Sequence, residues 1–460
     1  MSFVRTKYTL INSTAGLLYK ILQLISGFIV RYFLARYLIG DYIGLEGLFS
    51  NIVGFFSIAD LGLGTAISFS LYEPIHDKDY TKINSIMKLY KKVYCALGIL
   101  IVILSLVILP FFPYIIKGNG LDYNYIRLSF FIYAFGTAVT YFFSYNRTLI
   151  FALQKNYIVL IVDSVIKILC SMLQIIAVVK LRSYVSYLLV ITITNFMSNI
   201  IISMICNKMK LYDVKNAEKL SRSYTDKLLI DVKALAVTNI FGKVITATDN
   251  LLISSLVGVI DLAKNSNYSL IITGVQSLVV VSLEGAKASI GDLIVEKDLK
   301  KINFYFDRYC FIYYVCAMFT ASGIFFVSEP FISIWVGTKY LFNIPTLLCV
   351  TVNLYLILTI QPIATFQNLG GLYTIYQPVI IKAAIINLIL SILLGLKYKL
   401  IGIFIGTLVS YIYQIYGFGK LLHRHLLCKE SKVFFLHQSK NLCIFFLNLI
   451  ILYIIRNLLC

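Results

Sequence analysis

Ten residues stand inside long apolar runs of this sequence and could do chemistry there. They are the cations Lys20, Arg31, Lys243 and Lys287, the amides Gln23 and Asn250, and the acids Glu46, Asp60, Asp249 and Glu284. A Lys, Arg or Asp at the centre of a membrane helix costs roughly 2.5–3.5 kcal/mol on insertion scales, so each should face a hydrated cavity or a charged partner. At 100° per residue, Asn12, Gly16, Lys20, Gln23, Gly27 and Arg31 fall within about 100° of arc, with Lys20 and Arg31 about 16 Å apart along the axis. Asn239, Lys243, Thr246, Asn250 and Ser254 form a second such stripe, within about 80°. Companion stripes carry Glu46, Ser50, Ser57, Asp60, Gly64 and Ser68, and Thr273, Gln276, Glu284, Lys287 and Gly291.

Lysines lined by amides and hydroxyls suit an anion, phosphate above all. The acids suit a proton or a cation, and hence coupling to a H+ or Na+ gradient or to the membrane potential. The alternative is purely structural: Lys20 and Lys243 pair with Asp60, Asp249 or Glu284 and hold helices together. Three further charges take a structural reading. Asp163 and Lys167, at i and i+4, form a local ion pair, and Arg147 near the end of its span snorkels to the interface. His423 and His425 lack a third ligand at suitable spacing, so no metal site is expected. No Walker lysine loop is present, which argues against ATP hydrolysis, and nothing indicates an enzyme.

The elements that hold these residues follow from composition. Of 460 residues 59% are hydrophobic and 13% charged, about half the charge of a soluble chain, and the mean hydropathy is +0.85. Val93 to Ile116 and Ser183 to Asn207 hold no charge at all, and each exceeds the roughly 20 residues that span hydrocarbon as a helix. The reading is an all-α polytopic membrane protein with twelve spans and an extra C-terminal segment near 441–459. The N-terminal segment lacks a cleavage site and stays as a helix. Nine scattered cysteines form no disulfide framework or metal pair. With the N-terminus in the cytoplasm, 23 loop cations lie inside against 8 outside, so the net +20 is topological rather than the mark of a nucleic-acid binder. Attraction to anionic membrane lipids is its secondary effect.

The longest hydrophilic stretch, Asn207 to Thr225, is too short for a domain and reads as a linker. Lys78-Asp79-Tyr80-Thr81-Lys82-Ile83-Asn84 matches Lys297-Asp298-Leu299-Lys300-Lys301-Ile302-Asn303, and the same offset pairs Tyr90 with Tyr309 and Tyr94 with Tyr313. Both stretches follow the second span of their half, which predicts a duplication. Six spans per half make the repeats parallel. The expected organisation is a six-helix lobe over 1–208, a cytoplasmic linker over 209–227, a second six-helix lobe over 228–421, and a basic loop with an extra hydrophobic segment over 422–460. The two lobes should face each other across a central cavity.

The stretch from Tyr42 to Tyr94, YIGLEGLFSNIVGFFSIADLGLGTAISFSLYEPIHDKDYTKINSIMKLYKKVY, resembles the signature region of the Wzx-type polysaccharide repeat-unit flippases. That family shares a superfamily with multidrug and toxin extruders and peptidoglycan-precursor flippases. The resemblance extends more weakly over residues 1–420. It implies transfer of undecaprenyl-pyrophosphate-linked oligosaccharides from the inner to the outer leaflet of a bacterial plasma membrane, for capsule, exopolysaccharide or O-antigen assembly. It further implies alternating access around a cationic cavity, cavity cations at Lys20, Lys243 and Lys287, and a glycan polymerase and chain-length machinery as pathway partners. Thirteen apparent spans depart from the twelve or fourteen of larger relatives. An ion-coupled multidrug exporter, the first alternative, would favour acids in the cavity, and a peptidoglycan-precursor flippase is the other alternative. A glycan polymerase would carry a large outer loop, which is lacking here.

Overall fold

The computed structural model describes residues 2–38, 41–57, 70–71, 74–75, 77–116, 122–209, 212, 248–283 and 286–459. Those residues are almost wholly helical and contain no strand, as a bilayer requires of a chain that satisfies its backbone polar groups locally. Eleven helices among them are long and apolar enough to cross a membrane. The second expected span is described only as Tyr42–Phe56, and most of the seventh lies outside the described residues. The chain is a multi-pass membrane protein.

It divides into two compact units, Met1–Lys243 and Val244–Cys460. The expected linker, except for Met209 and Tyr212, and the expected lobe start at 228 lie outside the described residues. Unit one holds α1 (Ser2–Tyr37), α2 (Asp41–Phe56), α3 (Tyr80–Ile108), α4 (Tyr123–Ala152), α5 (Asn156–Val179) and α6 (Tyr184–Lys208). Unit two holds a helical stretch over 248–252 that runs into a π turn at Ile253–Val257. There follow α7 (Val259–Leu283), α8 (Ala286–Glu296), α9 (Leu299–Trp335), α10 (Ile344–Leu369), α11 (Tyr373–Tyr398), α12 (Leu400–Leu422) and α13 (Lys432–Leu459). The span expected over 265–293 is helical up to Leu283 and again from Ala286, with 284–285 outside the described residues.

Helix α5 shows how these sequences sort their faces. Ile161, Val165, Ile168, Met172 and Ile176 are exposed, whereas Cys170, Ser171 and Gln174 are buried. The 3.6-residue period is that of an amphipathic helix, but with apolar outside and polar inside, the inverse of a soluble protein. Asp79, Asp122, Ser183, Asp298 and Asn343 cap helices α3, α4, α6, α9 and α10, each accepting from a backbone N–H of the first turn. Asp298 accepts from both Lys300 and Lys301, and these bonds hold its carboxyl below its usual range.

The two units repeat one another. In unit one α3 packs on α4, α4 on α6, and α6 on α5; in unit two α9 packs on α10, α10 on α12, and α12 on α11. Their turns match as well: φ is positive at Lys78 (58°) and Lys297 (58°), at Gln154 (60°) and Gly371 (67°), and at Arg182 (47°) and Lys399 (56°). Non-glycine residues seldom adopt positive φ, so two such pairs, with a third turn where one partner is glycine, point to a shared origin. Tyr90, Tyr94, Tyr309 and Tyr313 are all buried, at 5% exposure or less.

Helix α13 lies along α9. Lys429 reaches Asp307, Gln438 reaches the Tyr314 hydroxyl, Ser322 bonds Asn448, and Arg456 pairs with Glu329. Sequence number rises together on both helices, so α13 runs parallel to α9 along its length.

Candidate functional site

Unit one builds its polar interior on α1, α4, α5 and α6. Asn12 donates to the Gln154 carbonyl (2.8 Å) and accepts from Tyr157 N (2.8 Å). It therefore serves the turn before α5 and is not a free member of the stripe. The bonds also set α1 parallel to α5, with Gly16 facing Leu160. Continued along both helices, this register brings Lys20 and Gln23 to the depth of Asp163 and Lys167.

Asp163 does not pair with Lys167. Arg147 of α4 grips it with both guanidinium ends, at 2.7 and 3.0 Å, and Ser198 of α6 donates to it at 2.6 Å. Arg147 also bonds Asn199 (2.9 Å) and Ser198 (3.0 Å). The expected snorkelling of Arg147 is therefore replaced by a three-helix ion pair, because a bidentate partner inside the bundle is stronger than exposure at the interface. This leaves Lys167, half-buried, whose amine meets no acceptor among the described residues. Among the described residues Lys20 has a neutral partner alone, the Gln23 side-chain oxygen at 3.3 Å. Two amines at one depth on adjoining helices thus lack a counter-charge among the described residues.

Further along α1, Arg31 pairs with Glu46 of α2 at 3.7 Å, and Tyr187 donates to Glu46 at 2.9 Å. Tyr42 stacks on Tyr184 with centroids 4.5 Å apart, and Tyr184 stacks on Tyr187. Arg31 and Glu46 thus form an ion pair walled by tyrosines. At the opposite end of unit one Tyr212 donates to Asn146, which donates to Ser203. Burial raises the Tyr212 hydroxyl, keeping it a donor.

Unit two builds a different site. Thr407 of α12 donates to Asp249 Oδ2 at 2.7 Å, and Asn387 of α11 donates to Thr407 Oγ1 at 3.0 Å. Ser391 bonds the Ile403 carbonyl at 3.1 Å. Asp249 Oδ1 and Asn387 Oδ1 are buried with no hydrogen-bond partner among the described residues. These groups meet because α11 and α12 approach closely at two glycines: a Cβ on Gly402 would lie 2.1 Å from Leu394 O, and one on Gly406 would lie 2.3 Å from Ser391 Oγ. A buried carboxylate, a hydroxyl and an amide oxygen can hold a proton or a hard cation.

Asn250, beside Asp249, is engaged by Asn265 at 2.7 Å. Lys287 lies half-buried on α8. Lys243, Asp60 and Glu284 lie outside the described residues, so the second lysine stripe and most of its acidic companions are not placed. Thr407, Asn387 and Ser391 were missed in the sequence because uncharged polar residues in apolar runs are unremarkable singly; the i, i+4 spacing of Asn387 and Ser391 was the available signal. Lys382, exposed near the middle of α11, was also missed, although a charge in an apolar span is itself a signal. No group of three metal-binding side chains occurs among the described residues.

No family model and no curated protein matches the chain. Solved structures do. The chain is similar to an inward-facing multidrug resistance MATE family transporter of the MOP superfamily, at 14% identity over 88% of this chain and 97% of that one, TM-score 0.69. It is similar to the lipid II flippase MurJ in an inward closed conformation, at 16% identity over 98% and 100%, TM-score 0.67. A Pyrococcus furiosus MOP superfamily transporter, whose binding pocket is described as having reverse polarity, aligns at 13% identity over 92% and 95%, TM-score 0.60. The chain has the fold shared by these transporters and flippases.

Proposed function

We propose that this protein is a lipid flippase that carries undecaprenyl-pyrophosphate-linked oligosaccharide units from the cytoplasmic to the outer leaflet of a bacterial plasma membrane, for assembly of a surface polysaccharide. The observation that carries the reading is the pair of amines on α1 and α5, Lys20 and Lys167, with no carboxylate partner among the described residues. A buried charge without a partner is costly, and a pyrophosphate with about two negative charges supplies the missing counter-charge. The lipid tail stays in the bilayer while the head is neutralised. A multidrug exporter for cations would place an unpaired acid here, whereas the acid that is present, Asp163, is fully occupied by Arg147.

In unit two, Asp249 with Thr407 and Asn387 is the group we assign to coupling, through a proton or Na+. Lys243, Lys287 and Asn250 complete the proposed substrate set, and Asp60 and Glu284 the proposed acidic set.

The test is made in a strain lacking the gene. Undecaprenyl-linked oligosaccharide should accumulate on the inner leaflet, and Lys20→Ala with Lys167→Ala should fail to relieve it while reaching wild-type abundance. Accumulation of the peptidoglycan precursor instead would move the cargo to that lipid. Altered drug or soluble-anion export without either accumulation would end the flippase reading.

A further inference from the structure

The basic end of unit two contains a feature that the proposed transport does not use. Where α12 ends in the π turn His423–Leu427 and the chain turns at Cys428 (φ 50°) into α13, Lys420, Arg424, Lys429 and Lys432 surround a cavity of about 580 Å³. Glu430 is the one carboxylate on its wall. A second cavity of about 680 Å³ adjoins it between α9 and α13, and the two share His423, Lys429 and Glu430. The second cavity is walled by Phe311, Tyr314, Val433, Phe434 and Ile444, with His437 and Lys440 at its polar rim. Asp307 on that rim is matched by Lys429 at 3.2 Å. The whole feature therefore keeps an excess of cations: Lys420, Arg424, Lys429, Lys432 and Lys440 against Asp307 and Glu430.

Shape and charge define the ligand together. The cationic basin lies at the N-terminus of α13, whose dipole adds to the attraction for an anion. The apolar cleft follows α13 from Val433 to Ile444, about 16 Å at 1.5 Å per residue, close to the depth of one leaflet's hydrocarbon. Phe311 and Val433 are 63% and 61% exposed, so the cleft has an apolar face open to the surroundings. A soluble anion would use the basin and leave the cleft empty; a lipid uses both. The end of the molecule is right as well, because the loop cations assign it to the cytoplasmic leaflet, where anionic lipids are found.

His423 narrows the head group. It is 1% exposed, its Nδ1 lies 2.8 Å from the Gly419 carbonyl, and its Nε2 is buried with no hydrogen-bond partner among the described residues. A neutral ring that donates through Nδ1 presents a lone pair at Nε2 and calls for a donor. A head group with both a phosphodiester anion and a hydroxyl meets the two requirements.

The geometry points to a binding site for one anionic glycerophospholipid, of the phosphatidylglycerol type, at the α9–α12–α13 end of unit two: phosphodiester against Arg424, Lys429 and Lys432, one acyl chain in the α9–α13 cleft.

Full-length protein purified in mild detergent, with defined lipids added back, tests this by native mass spectrometry. Phosphatidylglycerol should be retained at least about tenfold over phosphatidylcholine. Arg424→Glu with Lys432→Glu should abolish the preference, and Lys180→Glu, at the far end of unit one, should leave it intact. Free glycerophosphate in millimolar excess should not displace the lipid. A phosphatidylglycerol with a photoactivatable acyl chain should label α9 near Phe311 and α13 near Ile444 in the unmodified protein, a readout that needs no variant. Equal retention of the two lipids, displacement by glycerophosphate, or labelling confined to other helices would overturn the proposal.

Discussion

Thr407 donates its hydroxyl to Asp249 Oδ2 across 2.7 Å, tying the stretch before the π turn of unit two to α12. The bond lies where α11 and α12 are pressed together at Gly402 and Gly406, so a carboxylate and the hydroxyl that serves it are held by backbone packing and not by long side chains. Packing of that kind fixes positions to a fraction of an ångström, which a binding site for a small ion requires.

Asp249→Asn should leave the protein folded, since a buried neutral amide costs less than a buried carboxylate. Export should fall at least about tenfold and lose its dependence on Na+ or proton gradient. Flux measured in vesicles with each gradient imposed separately checks this. Full, gradient-dependent export by the variant would remove Asp249 from coupling.

Gly402→Ala should destabilise unit two by about 1–3 kcal/mol or more, because its methyl group would meet the Leu394 carbonyl and its own α12 backbone must then move away from α11. Thermal unfolding in detergent reads the shift. Gly323→Ala, with nothing within 4 Å of the added methyl, is the control that should be neutral.

Arg147→Ala should cost about 3–5 kcal/mol and sharply lower abundance, because Asp163 is left as a buried charge with Ser198 as its remaining donor. Replacing both partners by apolar residues, Arg147→Met with Asp163→Leu, should recover most of the stability. If the single variant expresses normally, the three-helix grip is not structural.

Lys167→Ala should leave abundance unchanged or raised, because the amine it removes has no acceptor among the described residues. Transport should fall, and Lys167→Arg should keep part of it. Transport falling only in proportion to abundance would return Lys167 to a structural role.

A phosphatase reporter, active only outside the cytoplasm, should be active when fused after Leu459 and inactive after Glu430. This follows from the parallel course of α13 and α9, fixed by Gln438 with Tyr314, Ser322 with Asn448, and Arg456 with Glu329. Low activity at both positions would show that α13 does not cross.

Hydropathy alone revealed the helical membrane fold, because the need to satisfy every backbone group in lipid leaves a long apolar run little choice. The Lys78–Asn84 and Lys297–Asn303 match foretold a duplicated turn, and both lysines do adopt φ 58°. Local spacing misled at Asp163. An i, i+4 lysine was available, but the bundle brought in Arg147 from another helix with a second hydrogen bond to offer, and tertiary geometry outweighed proximity in sequence. The unit-two site was half legible. Asp249 stood out as a charge, while Thr407, Asn387 and Ser391 gain meaning only from the approach of α11 to α12, a contact no single-helix wheel contains.

The pairing of Glu329 with Arg456 bears on how the chain is made. Glu329 emerges from the ribosome three spans ahead of its cation, since α10, α11 and α12 are all synthesised between them. Until α13 arrives, the C-terminal end of α9 carries this carboxylate without Arg456. A chain halted before α13 therefore lacks the cation that Glu329 pairs with in the finished fold.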